Sequence, residues 1–241
     1  MTQSSLIENE FLYLNENYKR VTSEIAEAAI KSGRNPDDIT LMAVTKTVNP
    51  VMINHMISLG VNLIGENKVQ ELLSKLDFLN TDGLEMHIIG HLQSNKVRKI
   101  IDVVSMIQSV DSVSLAREIS RQSALHKKET DILIEVNIGD EDAKTGLPVE
   151  MLFETAAEIS EMEGIRIKGL MCVPPICDDE KTVRAFFEKT RLLNEDLKGF
   201  LKDKEDISVL SMGMSSDFVP AILEGSTLVR VGSSLFGMRR Y

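Results

Sequence analysis

The chain has 241 residues, of which 43% are hydrophobic and 27% charged, and it carries a net charge of −10. That length fits one α/β barrel with a large buried core, and the acidic balance disfavours nucleic acid as a general partner, since that role calls for a basic face. No stretch approaches the roughly 20 apolar residues of a membrane span. The N-terminal MTQSSLIENEF lacks the basic and apolar regions of a signal peptide, so a cytoplasmic protein with no membrane partner is expected.

Residues 5–32 read as a long amphipathic helix. Ser5 and Glu8 have the spacing of a capping box, and Ile7, Phe11, Leu14, Tyr18, Val21, Ile25 and Ala28 form one apolar stripe. Gly33 and Pro36 end it. So short a stripe predicts a helix packed on the outside of a single domain spanning 1–241, with 1–36 as its N-terminal extension. A coiled-coil seam, and with it a dimer rather than a monomer, stays open.

Strand patterns then recur at 40–45, 61–64, 85–89, 103–108, 131–137, 165–170, 206–211 and 227–231. Helical patterns separate them at 50–59, 67–79, 112–127, 148–162 and 180–201, with Pro148 at a first helical position and a short segment near 94–101. Eight βα units predict a (β/α)8 TIM barrel with an extra N-terminal helix. An open doubly wound sheet is the alternative, but no G-x-G-x-x-G follows any strand.

The first strand, TLMAVTKT at 40–47, ends on Lys46. A lysine at the tip of an apolar strand is costly to desolvate. Desolvation lowers its pKa and frees the neutral amine for Schiff-base chemistry. In a barrel the site lies at the C-terminal strand ends, and small and polar residues gather there: Gly65-Glu66-Asn67, Gly90 to Lys96, Gln108-Ser109, Asn137, Ser211 to Asp217, and Gly232-Ser233-Ser234. The last two runs lead into helical patterns. That is how a phosphate is held, although Ser and Asp also serve as ordinary caps. Arg230 interrupts the apolar strand TLVRV; it either pairs with a barrel carboxylate such as Glu66 or Glu135 or aims at a ligand.

His87 and His91, four residues apart along a strand, are separated by about 13 Å and cannot share a metal ion. His87 reads as an interior residue and His91 as a loop residue. Lys144 and Gly146 fall in the loop after the fifth strand, the glycine serving a turn. Cys172 and Cys177 have no neighbouring histidine and read as thiols in a reducing compartment.

Several blocks taken together resemble one family. AVTK at 43–46, IGENKVQE at 64–71, HIIGHLQSNK at 87–96, NIGDEDAKTG at 137–146, GLM at 169–171, LSMGMSSD at 210–217 and VRVGSSLFGMR at 229–239 resemble the YggS/PROSC family of pyridoxal-phosphate (PLP) homeostasis proteins. The likeness runs from about Leu41 to Arg239. Met86 departs from it, standing where the family usually has an aromatic residue.

The resemblance implies a barrel like the N-terminal domain of alanine racemase and the fold-type III decarboxylases. It implies that Lys46 forms a Schiff base with PLP, that Asn67 also contacts the cofactor, that Ser215, Gly232 and Ser233 contact its phosphate, and that Arg230 faces the pyridine nitrogen. Arginine cannot accept a proton, so that ring stays unprotonated and is a poorer electron sink. Racemases of this fold add a second, mostly β domain and a partner-subunit tyrosine as second acid/base. Here the chain ends at Tyr241, and the other tyrosines, Tyr13 and Tyr18, lie on the first helix. The expectation is a carrier or buffer of PLP with little or no turnover, serving PLP-requiring apo-enzymes. A PLP-dependent amino-acid racemase and a cofactor-free class I aldolase are the alternatives.

Overall fold

The structure, a computed structural model, describes residues 3–140, 145–177, 179–201 and 206–237, with side chains from Asn9 onward. Eight strands form the frame: β1 Thr40–Val44, β2 Leu63–Glu66, β3 Glu85–Ile88, β4 Met106–Val110, β5 Thr130–Asn137, β6 Ile165–Cys172, β7 Val209–Met214 and β8 Leu228–Val231. Each pairs in parallel with its neighbours, β1 with β8 and β4 with β5, so the sheet closes into the expected (β/α)8 barrel. A two-residue strand, Leu147–Pro148, adds to β5 outside the ring.

The helices are α1 Gln3–Lys31, α2 Pro50–Ser58, α3 Val69–Lys75, α4 Val113–Leu125, α5 Leu152–Ile159, α6 Glu180–Phe200, α7 Phe218–Leu223 and α8 Ser233–Phe236. Local chemistry starts several of them. Asn49 accepts from the N–H of Val51 with Pro50 behind it, and Asp179 accepts from the N–H groups of Lys181 and Thr182. The third crossover is only a 3-10 segment, Ser94–Lys99.

Several boundaries differ from expectation. β2, β4 and β7 each begin two or three residues later than the sequence pattern suggests. Val61, Val103, Val104 and Ile207 precede them as loop residues packed into the core. An apolar residue in the approach loop imitates the first residue of a strand. The fifth helix starts only at Leu152, behind a 3-10 turn at Val149–Met151, so Pro148 precedes the helical segment instead of opening it. α1 starts at Gln3, which places Ser5 inside the first turn. The expected capping-box contact and the place of Ile7 fall outside the described side chains. Lys144, Tyr241 and the end of the block at 229–239 fall outside the described residues.

Alternation along the strands fills the barrel in layers. Met42, Leu63 and Leu228 form one interior cluster and Met106, Leu133 and Met171 another, with Val209 touching both. Two residues further along the same strands, on the same inward face, come Gln108, Glu135, Ser211 and Arg230. The barrel is thus plugged with apolar side chains below and polar ones toward its C-terminal mouth.

The apolar stripe of α1 is covered by its own chain. Leu14, Val21, Ile25 and Ala28 are buried, and the helix packs on α2, α7 and α8. It also holds the last unit by hydrogen bonds: Asn17 Nδ2 donates to the Leu235 carbonyl at 3.0 Å, and Arg20 Nη2 donates to that of Ser234 at 2.9 Å.

Candidate functional site

β1 stops at Val44. Thr45 follows, buried, and Lys46 with Thr47 makes a turn at the mouth, Lys46 half-buried. Thr47 takes φ +64, a conformation that β-branched residues rarely adopt. Asn67 follows the end of β2, and its Oδ1 is buried without a hydrogen-bond partner. The next loop crosses it so closely that a Cβ on Gly90 would lie 2.6 Å from the Asn67 carbonyl oxygen. Only glycine fits there.

The loops after β7 and β8 meet at one hydroxyl. Ser215 Oγ accepts from the N–H of Gly232 at 3.1 Å and of Ser234 at 3.2 Å, and Ser234 Oγ donates to the Ser215 carbonyl. A hydroxyl that accepts twice still has its own proton to donate. β7 slips register between Ser211 and Met214, where Gly213 takes φ +93. Burial pushes the Asp217 carboxyl up, although it accepts from the Met214 N–H. Ser233 stands exposed at the head of α8.

Arg230 is buried and has no carboxylate partner among the described residues. Its Nη1 donates to Ser211 Oγ at 2.7 Å and its Nη2 to the Cys172 carbonyl at 2.8 Å. Glu66 is bonded to Lys75 and Thr45 instead, and Glu135 accepts from Thr145 Oγ1 at 2.8 Å. Of the two alternatives the sequence left for Arg230, the ion pair with Glu66 or Glu135 is therefore not made. Burial pushes the guanidinium pKa down, and the Cys172 thiol, also buried, up to about 11.

From Arg230 the bonds continue across the barrel. Ser211 Oγ donates to Gln108 Oε1 at 2.7 Å, and Gln108 Nε2 lies 2.9 Å from His87 Nδ1. Sequence reasoning noted Gln108 and Ser211 as strand ends without assigning them a role. The signal that singled out Arg230, a charge inside an apolar run, is absent from both, since neither is charged. His87 is interior, as expected, and His91 is an exposed loop residue 3.4 Å from Asp111. Among the described residues no group of three metal-ligating side chains occurs. Gly146 has φ +113, and a Cβ there would lie 2.8 Å from the Asn137 nitrogen, so the glycine allows a close approach to β5 as well as a turn.

Lys46, Asn67, Ser215, Arg230, Gly232 and Ser233 thus come from four consecutive strands, β7, β8, β1 and β2. The register sets Met42 beside Arg230 and Ala43 beside Val231. A cleft of about 1010 Å³ is lined by Tyr13, Leu14, Val44, Met52, Gly232 and Ser233. Neither Lys46 nor Arg230 lines it.

The donor set fits PLP. A buried guanidinium among neutral acceptors suits a ring nitrogen that takes a hydrogen bond, within a ligand whose negative charge offsets the cation. The orphaned amide oxygen of Asn67 needs a partner that the protein does not supply. The Ser215 hydroxyl, which keeps its proton to donate, and the exposed Ser233 hydroxyl suit phosphate oxygens.

Fold and site define a class, the barrels of the alanine racemase N-terminal domain: the family model of that description matches residues 20–240. A pyridoxal phosphate homeostasis protein from Aquifex aeolicus is 39% identical, over 94% of this chain and 98% of its own. The one from Escherichia coli K12 is 37% identical, over 93% and 96%. The structure of PipY from Synechococcus elongatus with PLP bound is 32% identical, covers 88% of this chain and 100% of its own, and superimposes with a TM-score of 0.79. The chain belongs to the pyridoxal phosphate homeostasis protein family.

Proposed function

We propose that this protein binds PLP reversibly through Lys46 and buffers or carries it, with little or no turnover of its own. The observation that carries the reading is Arg230, buried on the inward face of β8 with only a hydroxyl and a carbonyl as partners. PLP, when bound, supplies an aldehyde that condenses with an amine. Lys46 provides that amine from a turn at the barrel mouth. The Ser215 and Ser233 hydroxyls, with the Gly232 backbone between their loops, hold the phosphate, and Asn67 stands just past the end of β2, next to the turn that carries Lys46. Arg230 donates to the ring nitrogen and, having no lone pair to offer, leaves it unprotonated. That restrains carbanion chemistry and favours holding the cofactor over using it.

The same reading makes PLP-requiring apo-enzymes the recipients, the cytoplasm the compartment and a monomer the working form. Its supports are two free cysteines, an α1 stripe buried on its own barrel, and, among the described residues, no helix long and apolar enough to cross a membrane.

The test is the visible absorption of the purified protein with added PLP. A band lost in Lys46→Ala supports the reading. A preparation that stays colourless overturns it and favours a cofactor-free aldolase. Incubation of the PLP-loaded protein with L-amino acids in deuterated water then separates carrier from racemase. Lys46-dependent exchange of the α-proton at enzyme-like rates rejects the carrier.

A further inference from the structure

The stretch IGENKVQE at 64–71 contributes only Asn67 to the site described above. Its two carboxylates lie elsewhere. Gly65 faces the barrel interior, where a Cβ would meet Met42 and Ile89, so Glu66, the next residue, faces outward to α3. There it meets Lys75, a buried lysine on that helix. Lys75 Nζ donates to Glu66 Oε1 at 2.7 Å, to Glu71 Oε1 at 2.7 Å and to the Thr45 carbonyl at 2.8 Å. Glu66 Oε1 also accepts from Thr45 Oγ1 at 2.7 Å. Glu71 Oε1 accepts from the backbone N–H of Thr47.

These bonds bracket one residue. Thr45 is gripped by its carbonyl and hydroxyl, Thr47 by its N–H, and Lys46 lies between. Thr47 is also the residue with φ +64. A threonine in that region persists only when its surroundings hold it there, and its N–H bond to Glu71 is such a hold. A staple between helix and barrel needs side chains alone. This cluster also takes up the two peptide groups that set the direction of Lys46.

We infer that Glu66, Glu71 and Lys75 are positioning residues that hold the Lys46 peptide in its strained turn and so aim the lysine amine into the barrel mouth. The inference rests on the reading of Lys46 as the PLP-binding amine. Burial pushes the Glu66 carboxyl up, against its bonds from Lys75 and Thr45, and Glu71 is the member whose charge suits the task. Burial pushes Glu71 up, but its bonds from Lys75 and Thr47 prevail and hold it below the usual carboxylate range. It therefore stays an anion and a strong acceptor for the Thr47 N–H.

The experiment follows covalent attachment of added PLP to Lys46, by absorbance and by mass after borohydride reduction, with thermal melting run alongside. In Glu71→Ala, which removes the acceptor for the Thr47 N–H, and in Lys75→Met, attachment slows by about tenfold or more, as misplacement of a reacting group does. Adding Thr47→Gly to Glu71→Ala restores much of the rate, because glycine takes a positive φ without support. If Lys75→Met does not fold, the Glu71→Ala pair carries the test, since Glu71 lies at the rim of the cluster. A staple alone would lower the melting temperature, leave the attachment rate at the unmodified value and show no rescue by Thr47→Gly; that result overturns the inference. No attachment in the unmodified chain overturns the reading of Lys46 itself, and the inference with it.

Discussion

Gln108 donates a hydrogen bond to Nδ1 of His87 across 2.9 Å, and its direction is set by an arginine two partners away. Arg230 can only donate, so Ser211 Oγ accepts from it. The Ser211 proton goes to Gln108 Oε1, which turns the Gln108 NH2 toward His87. Nδ1 must then be the bare nitrogen and Nε2 the protonated one. Nitrogen-15 NMR of the ring at neutral pH is expected to report that tautomer; a proton on Nδ1 would contradict the chain of bonds. Gln108→Leu leaves the Ser211 hydroxyl proton and His87 Nδ1 without their partners in the interior, which costs about 2 kcal/mol or more. Urea unfolding measures it.

Asn17 links the N-terminal helix to α8, where the phosphate is proposed to bind, through the Leu235 carbonyl. Asn17→Ala strands that carbonyl and lowers stability by about 1–2 kcal/mol. Because Leu235 lies in α8, next to Ser233 and Ser234, the variant is expected to bind PLP more weakly but pyridoxal, which lacks the phosphate, as before. Titration with the two ligands checks this. An equal loss for both would mean that α1 supports the barrel as a whole.

The barrel is legible in the sequence because closed parallel strands are apolar runs separated by helical periods, and each of the eight is present. Lys46 and Arg230 stand out for the same reason, as charges set in apolar runs. Gln108 and Ser211 do not, because an uncharged polar residue near a strand end looks like the end of the strand. Their role depends on β4 and β7 facing each other across the barrel, a relation that no local pattern carries. The Glu66–Lys75 pair is hidden differently. Lys75 sits in a helix whose charges look solvated, and only the packing of α3 on β2 buries it. The late starts of β2, β4 and β7 have a third cause, since periodicity cannot separate a core residue in a loop from one in a ladder.

Glu135 sits on the inward face of β5 with Thr145 as its donor, and Asp111, Arg230 and His91 are the charged or titratable groups acting on it. Burial pushes its carboxyl above the usual range; Thr145 opposes that shift, Asp111 adds to it, and Arg230 and His91 oppose it. A carboxyl with a raised folded pKa binds more protons folded than unfolded between the two values. Its contribution is therefore most favourable below the unfolded value and is lost as pH rises through the folded one. Glu135→Gln keeps an acceptor for Thr145 and removes the charge. The variant should match the unmodified protein at acid pH and melt higher at neutral pH, the gain growing across that window and then levelling. Melting midpoints from acid to neutral pH test the sign, and a variant that melts lower at neutral pH would show that the field of Arg230 outweighs burial.

Arg230→Gln should move stability and binding in opposite directions. Without ligand, Arg230 is a buried cation with no carboxylate beside it among the described residues, and such a charge weakens the fold. Glutamine is neutral, so that cost disappears; its side chain is shorter, and the bonds to Ser211 Oγ and the Cys172 carbonyl that it gives up are each worth less, about 1 kcal/mol. The ligand-free variant is therefore expected to melt no lower than the unmodified protein. PLP loses a charge-assisted hydrogen bond at its ring nitrogen, worth about 1.5–3 kcal/mol, so affinity falls roughly 10- to 100-fold and the visible band shifts. Melting with and without PLP reads both effects at once. A variant that melts lower and binds PLP as well as before would make Arg230 a strut between β6, β7 and β8 that does not face the ring.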